Sequence, residues 1–239
     1  MNQSYVSIKN VTKFFGTQKV LDGINLDVRQ GEIYGLLGPS GSGKTTLVKM
    51  LTNLEKQSDG EITFEGIQLP SSKITYKIGY MSQADALYQE LTAEENLNFF
   101  AAIFGISTSK RAERIQAVSR VVDLQDHLKK SVNTYSGGMK RRLSLAASLL
   151  HEPDLLILDE PTVGIDPVLR QQIWAQFNIL KEQGKTIIVT THVMDEAEKC
   201  DRVGLLRDGK IIAEGSPEEI IKQTGVSRLE DAFLVLGGK

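Results

Sequence analysis

One cysteine, Cys200, stands in a chain of 239 residues. That excludes an intrachain disulfide framework and a thiolate-built metal centre, and the expected role of the lone thiol is a small buried side chain. Long apolar runs are missing as well. The richest segments, Leu143 to Leu150 and Leu155 to Leu158, are short and flanked by charge, well below the ~18 residues of a bilayer-crossing helix. Residues 1–10 are polar and alternating, with no apolar core of a secretory leader. Charge of one sign is not in excess: 28 Lys+Arg against 30 Asp+Glu leave −2. A bulk polyanion binder would carry a basic surplus, so no nucleic acid is expected as a partner. Together these absences point to a cytoplasmic protein. What remains is 41% apolar and 24% charged, the balance of a globular chain with one large domain or two small lobes.

Patterning divides the chain. Val6 and Ile8, then Ile24, Leu26 and Val28, then Ile62 and Phe64 alternate with polar neighbours and predict half-buried antiparallel strands. Ile33 to Leu37, Ile78 to Met81, Leu155 to Leu158 and Thr186 to Thr190 are continuous apolar or β-branched runs, as in parallel strands buried on both faces. From about Leu91 to Leu150 no strand signal occurs. Thr92-Ala-Glu-Glu95 is a capping box opening a helix that carries Phe99, Phe100 and Phe104 and stops at Gly105. Lys110 to Val122 and Gly138 to Leu150 predict two more helices. This stretch, 91–150, reads as a helical lobe inserted into an α/β core of 1–90 and 151–239. Asp166-Pro167 supplies an N-cap and N1 proline, with Ile173, Phe177 and Leu180 on one face behind it. Val203 to Leu206, Asp208-Gly209 and Ile211 to Ala213 read as a hairpin. Ser216-Pro-Glu-Glu219 and Ser227-Arg-Leu-Glu230 each predict a helix start.

Gly38-Pro39-Ser40-Gly41-Ser42-Gly43-Lys44-Thr45 matches G-x-x-x-x-G-K-[ST], with a strand before it and the helical run from Thr46 after it. Glycines 38, 41 and 43 let the backbone curl until its N–H groups converge, and the helix N-terminus adds partial positive charge. Lys44 adds a full charge for the β- and γ-phosphates, and the Thr45 hydroxyl can ligate Mg²⁺. The run Leu155 to Leu158 delivers Asp159-Glu160 at its C-terminal end, which fits a Walker B element with Asp159 toward Mg²⁺ and Glu160 toward an attacking water. Tyr135-Ser136-Gly137-Gly138-Met139 opens a helix; taken alone it reads as an ordinary N-cap with a flexible turn, and by the same dipole argument it is also a candidate second anion cradle.

Phosphate loop, Ser-Gly-Gly signature, acidic pair and then a lone histidine after a strand: this order resembles the ATP-binding subunit of ABC transporters over essentially the whole chain. The resemblance implies an α/β fold, a P-loop NTPase cassette with a RecA-like core, an antiparallel β subdomain and an inserted helical lobe. It implies ATP and Mg²⁺ as cofactors. Phe15 matches the aromatic that stacks on adenine, with Phe14 a core neighbour. Gln83 matches the Q-loop glutamine, a metal contact and part of the catalytic set. Gly164-Ile165-Asp166 matches the D-loop, and His192 the switch histidine near the γ-phosphate, whereas His127 and His151 read as structural or solvated. Thr45 and Asp159 would hold the metal, Glu160 would polarise water, and Lys44, with Thr46 beside it, would bind phosphate. Ser136, Gly137 and Gly138 would act in trans on ATP bound to a second cassette, identical or paralogous.

Two departures from the commonest signature stand out. Tyr135 replaces its leading Leu, and Met139 replaces its final Gln and cannot supply amide hydrogen bonds. With the ending Leu229-Glu-Asp-Ala-Phe233, this form looks most like the branch of drug and lipid exporters. The expected partner is a polytopic membrane permease, which would hold the cassette on the cytoplasmic face of the cell membrane. Leu87, Tyr88 and either Phe99 or Phe100 are candidates for the groove receiving it, against a reading of all four as lobe core. A soluble ABC ATPase acting on ribosomes or DNA repair complexes is the alternative, but such proteins usually carry fused second cassettes, coiled coils or zinc modules, absent here. A non-hydrolysing regulatory cassette is disfavoured by the presence of Glu160 and His192.

Overall fold

Alternating side chains leave a strand with one apolar face, and here that face closes a four-stranded sheet. The computed structural model describes residues 4–84 and 86–238, so the stretch 1–10 and the segment 84–88 are described only in part. β1 (Val6–Phe15) and β2 (Gln18–Val28) form an antiparallel hairpin from Val6 opposite Val28 to Phe15 opposite Gln18. β3 (Ile33–Leu37) leads through the glycine-rich loop into α1 (Lys44–Leu51). β4 (Asp59–Phe64) and the short β5 (Ile67–Gln68), which the sequence pattern does not announce, complete the sheet in the order β2-β1-β4-β5. β6 (Ile78–Met81) follows, and then three helices without an intervening strand: α2 (Ala93–Ile103), α3 (Thr108–Val121) and α4 (Gly137–Leu149).

The remaining elements are β7 (Leu155–Asp159), α5 (Pro167–Glu182), β8 (Thr186–Thr191), the single turn α6 (Met194–Ala197), β9 (Arg202–Arg207), β10 (Lys210–Gly215), α7 (Pro217–Thr224) and α8 (Leu229–Leu236). The second sheet has the order β10-β9-β3-β8-β7-β6, parallel except for the β9–β10 hairpin. Its central strands are buried on both faces, and successive side chains serve different cores. Tyr34, Leu36, Leu155, Ile157 and Ile188 face the antiparallel sheet and α1. Ile33, Leu37, Leu156, Leu158, Ile187 and Val189 face α4, α5 and the other helices. This is why those runs are continuously apolar while β1 and β2 alternate.

Helix starts follow local chemistry. Thr92 accepts from the Glu95 N–H while Glu95 Oε2 accepts from the Thr92 N–H at 2.7 Å, a complete capping box, and Ser216 and Glu219 repeat it on α7. Asp166 Oδ1 accepts from the Leu169 N–H at 3.0 Å, with Pro167 at N1. Two expectations fail. Arg228, not Ser227, is the N-cap of α8, and its side chain makes no capping bond; the turn after Gly225, whose φ of 70° ends α7, starts the helix one residue later than the motif implies. Phe14 is not core: β1 runs on to Phe15, which leaves Phe14 on the solvent side of the hairpin end, 41% exposed with Lys19 Nζ over its ring. Cys200 is buried as expected, and burial pushes its thiol well above the ordinary range.

His151, at the turn after α4, stacks on Phe104 with ring centroids 3.8 Å apart, and its Nε2 lies 3.0 Å from the Ile78 carbonyl. Partial burial, aided by Arg114 and Lys185, holds its pKa below 6.5. The unfolded chain therefore takes up a proton near pH 6.5 that the fold does not. The stability contributed by His151 is complete above that pH and falls as the solution is acidified through the folded pKa. Urea unfolding between about pH 7.5 and pH 5.5 should show a steeper loss for the wild type than for His151→Gln. Equal slopes would contradict this assignment.

Candidate functional site

The C-terminal ends of β3, β7, β8 and β6 lie side by side, and each ends in a polar segment that the sheet cannot bury. After β3 the chain turns through Gly38 to Gly43. Gly43 is the N-cap of α1 at φ 110°, and a Cβ there would lie 2.5 Å from Leu21. Lys44 is 6% exposed, and its ammonium donates to the Gly38 carbonyl at 2.7 Å and the Pro39 carbonyl at 3.0 Å. Burial lowers its pKa, opposed by the charges of Glu160 and Asp159. A cavity of about 240 Å³ opens above this loop, lined by Ser40, Gly41, Gly43, Lys44, Thr45 and Thr46, with Gln83 and Glu160 opposite. Val20 of β2 lines it too, a contact that no motif announced. Phe15 stands 47% exposed at the hairpin end, with Lys13 Nζ 4.9 Å from its ring centroid. An exposed aromatic face is what a planar base would need, since stacking buries it.

Asp159 closes β7 and is 1% exposed. Thr45 donates to its Oδ2 at 3.0 Å, and Thr190 of β8 donates to its Oδ1. Glu160 follows at φ 53°, a left-handed conformation that costs a non-glycine residue about 1 to 3 kcal/mol. The bend turns its carboxylate into the site. Oε1 lies 2.9 Å from His192 Nδ1, and Oε2 lies 3.5 Å from Gln83 Nε2. The structure thus brings together Lys44, Thr45, Gln83, Asp159, Glu160 and His192, drawn from four segments.

The glycine pair lies elsewhere. Ser136 caps α4 by accepting from the Met139 N–H at 3.2 Å. Ser136, Gly137 and Gly138 line a second, larger cavity of about 720 Å³ with Arg141, Arg142, Gly164 and Asp166. Gln83 and Glu160 border both cavities, but Ser136, Gly137 and Gly138 do not line the one above the phosphate loop. Tyr135, in place of leucine, is 5% exposed and donates its hydroxyl to the His127 carbonyl at 2.8 Å. Met139 packs on the core. Tyr135 is thus anchored on the core side, whereas Met139 packs on the core and also lines the cavity beside the glycine pair.

Two further residues escaped the sequence reading. Arg141, 7% exposed on α4, donates to the carbonyls of Ser82 at 2.8 Å, Gln83 at 2.9 Å and Glu160 at 2.6 Å, and also to that of Asp159. Glu196, 1% exposed on α6, accepts from Thr191 at 2.7 Å and from Thr162, so it ties the turn of His192 to the segment before Gly164. No sequence signal pointed to either residue, since both reach partners far away in the chain.

The donor set suits Mg²⁺. One buried carboxylate and one hydroxyl meet at 3.0 Å beside a phosphate cradle, and Mg²⁺ is usually held by one or two carboxylates plus substrate phosphates. Among the described residues no cluster of three or more His, Cys, Asp or Glu could form an all-protein cage.

Comparison with known proteins gives the same direction. A family model described as ABC transporter matches residues 21–163. The chain is 41% identical over 241 residues to the probable multidrug ABC transporter ATP-binding protein YbhF of Escherichia coli K12, covering 98% of this chain but only 42% of that protein. It is 40% identical over 238 residues to the linearmycin resistance ATP-binding protein LnrL of Bacillus subtilis 168, covering 95% of this chain and 76% of the relative. A dimeric ATP-binding cassette in a post-hydrolysis state, bound to ADP and Pi, superposes with a TM-score of 0.82 at 30% identity over 88% of this chain and 98% of that one.

Gly38 is where the phosphate loop tolerates least. A Cβ there would sit 2.2 Å from the Leu206 carbonyl oxygen and 2.8 Å from Ser42 Oγ. The first obstacle is backbone of β9 and cannot swing aside, so the loop must shift. Gly38→Ala should weaken MgATP binding by about tenfold or more, measured by fluorescent-nucleotide titration. Wild-type affinity in the folded variant would contradict the tight approach.

Proposed function

The chain belongs to the ABC transporter family, and on that premise we propose that it binds and hydrolyses MgATP as the energising subunit of an exporter. The observation that carries the reading is the position of Glu160, with His192 at 2.9 Å, Gln83 at 3.5 Å and the Lys44 loop across the same cavity. Lys44 and the loop N–H groups hold the phosphates. Thr45 and Asp159 supply the oxygens for Mg²⁺, which when bound would offset phosphate charge. Glu160 accepts a hydrogen bond from the attacking water, and His192, held by the same carboxylate, contacts the γ-phosphate. Gln83, 3.5 Å from the same carboxylate, would help hold the metal and orient the water. What these groups supply is positioning and electrostatic stabilisation.

Hydrolysis requires two cassettes in this reading. Ser136, Gly137 and Gly138 do not line the cavity of their own phosphate loop, so they serve ATP on a second copy or a paralogue arranged head to tail. The dimeric relative bound to ADP and Pi supports that arrangement. Export is supported by the names of the multidrug and linearmycin-resistance relatives. No helix among the described residues is long and apolar enough to cross a membrane, and the proposed partner is a polytopic permease that holds the cassette on the cytoplasmic face.

A small cavity of about 120 Å³ beside the Gln83 segment is lined by Met81, Leu87, Phe100 and Phe104. Phe99 packs edge to face on Phe100 of that lining at 5.6 Å and on Tyr88 at 4.7 Å, and Tyr88 and Phe99 are 48% and 39% exposed. This aromatic cluster is the proposed seat of the permease, because contiguous exposed apolar surface marks interfaces.

Glu160→Gln should retain MgATP binding and lose hydrolysis by about 10² to 10⁴-fold, leaving an ATP-held dimer on size-exclusion chromatography. Near-wild-type turnover would remove Glu160 from the reaction. Tyr88→Lys should weaken retention by the permease in detergent and uncouple transport, with MgATP binding by the free cassette intact. Unchanged retention takes Tyr88 out of the interface, and lost nucleotide binding returns it to the lobe core.

A further inference from the structure

Arg141 is buried on α4, five residues after Ser136, yet its donors do not serve the signature cradle. They serve main-chain carbonyls beyond the ends of two neighbouring parallel strands. Met81 and Leu158 are register partners on β6 and β7, and the sheet ladder runs out just after them. One guanidinium collects the carbonyls exposed there: Ser82 and Gln83 on one side, Asp159 and Glu160 on the other. A planar fork with five N–H donors can bridge two such pairs, whereas an ammonium cannot span both.

The consequence falls on Glu160. Its N–H is already fixed by β8, donating to the Thr190 carbonyl at 3.1 Å and to Thr190 Oγ1 at 3.0 Å. Its φ is 53°, a conformation that persists only where the surroundings over-determine it. Arg141 Nε at 3.2 Å and Nη2 at 2.6 Å grip the carbonyl on the other side of the same residue. The same cation holds the backbone of Gln83, whose side chain lies 3.5 Å from the Glu160 carboxylate.

We propose that Arg141 is a positioning residue that locks Glu160 in its left-handed conformation and keeps the Gln83 segment in register with it, so that the signature helix and the hydrolytic carboxylate move as one body. The inference rests on the hydrolytic role of Glu160 given above. Arg141 acts through the backbone carbonyls of Gln83 and Glu160, the two residues assigned above to the water.

The test uses the purified full chain with MgATP. Arg141→Lys keeps the charge and loses the fork. Turnover should fall about 10²-fold, the cost of a displacement of about 1 Å at a reacting group, while the MgATP dissociation constant changes less than about threefold. Adding Arg141→Lys to Glu160→Gln should cost almost nothing beyond Glu160→Gln alone, in single-turnover measurements, because both act through one carboxylate. A purely structural role predicts a lower unfolding temperature with unchanged turnover per folded molecule, and that result would overturn the proposal. So would multiplicative losses in the double variant. Arg141→Gln serves if the lysine variant does not fold, and failure of both to fold would reassign Arg141 to stability. A wild-type chain without ATPase activity would instead refute the hydrolytic reading, whatever the variants do.

Discussion

The carboxyl group of Asp159, 1% exposed, is held by two hydroxyls that reach it from different parts of the chain: Thr45 at the start of α1 and Thr190 on β8. A buried carboxyl without such partners would be strongly unfavourable, so this contact and the sheet around it require each other. Leu36, Thr190 and Asp159 sit in register across β3, β8 and β7. That register brings the phosphate loop, the acidic pair and the His192 turn to one edge. Slipping any strand by one residue would turn its side chains to the opposite core. The site is thus a consequence of how the parallel strands divide their side chains between two cores, and loops alone could not hold it.

Much of this was legible in the residues because the chemistry there is local. A strand, a glycine-rich turn and Lys44-Thr45 specify their geometry within a few residues, and the boxes at Thr92 and Ser216 and the cap at Asp166 form as their spacing implies. Where partners are remote, the sequence is silent. Arg141 bonds to segments up to 59 residues away in the chain, and Glu196 reaches Thr162 across 34; nothing in either neighbourhood encodes that. Phe14 misleads because a bulky aromatic beside another is normally core, yet the hairpin extends far enough to carry it into solvent. Ser227 carries the right motif one residue before the N-cap of the helix that forms.

The geometry also accounts for the tolerance of the signature. Its unusual flanks are anchored on the core, Tyr135 through a hydroxyl bond to a backbone carbonyl and Met139 through packing, while Met139 also lines the cavity beside the glycine pair. Of the two glycines, only Gly138 makes a close approach: a Cβ there would lie 3.0 Å from the Gly164 carbonyl, whereas at Gly137 it would meet nothing within 4 Å. Gly137 therefore faces open space on its own chain, the arrangement expected of a surface completed by a second cassette.

That openness permits a direct test of the shared site. Gly137→Asp introduces a carboxylate where the partner's γ-phosphate would lie, without strain on its own fold, and Lys44→Ala disables the phosphate loop. A mixed dimer joins the intact loop of the first variant to the intact signature of the second. The account predicts that each variant alone is inactive, that Gly137→Asp still binds MgATP, and that mixing the two restores ATPase activity. A mixture no more active than its separate components, or loss of nucleotide binding by the Gly137→Asp monomer, would contradict it.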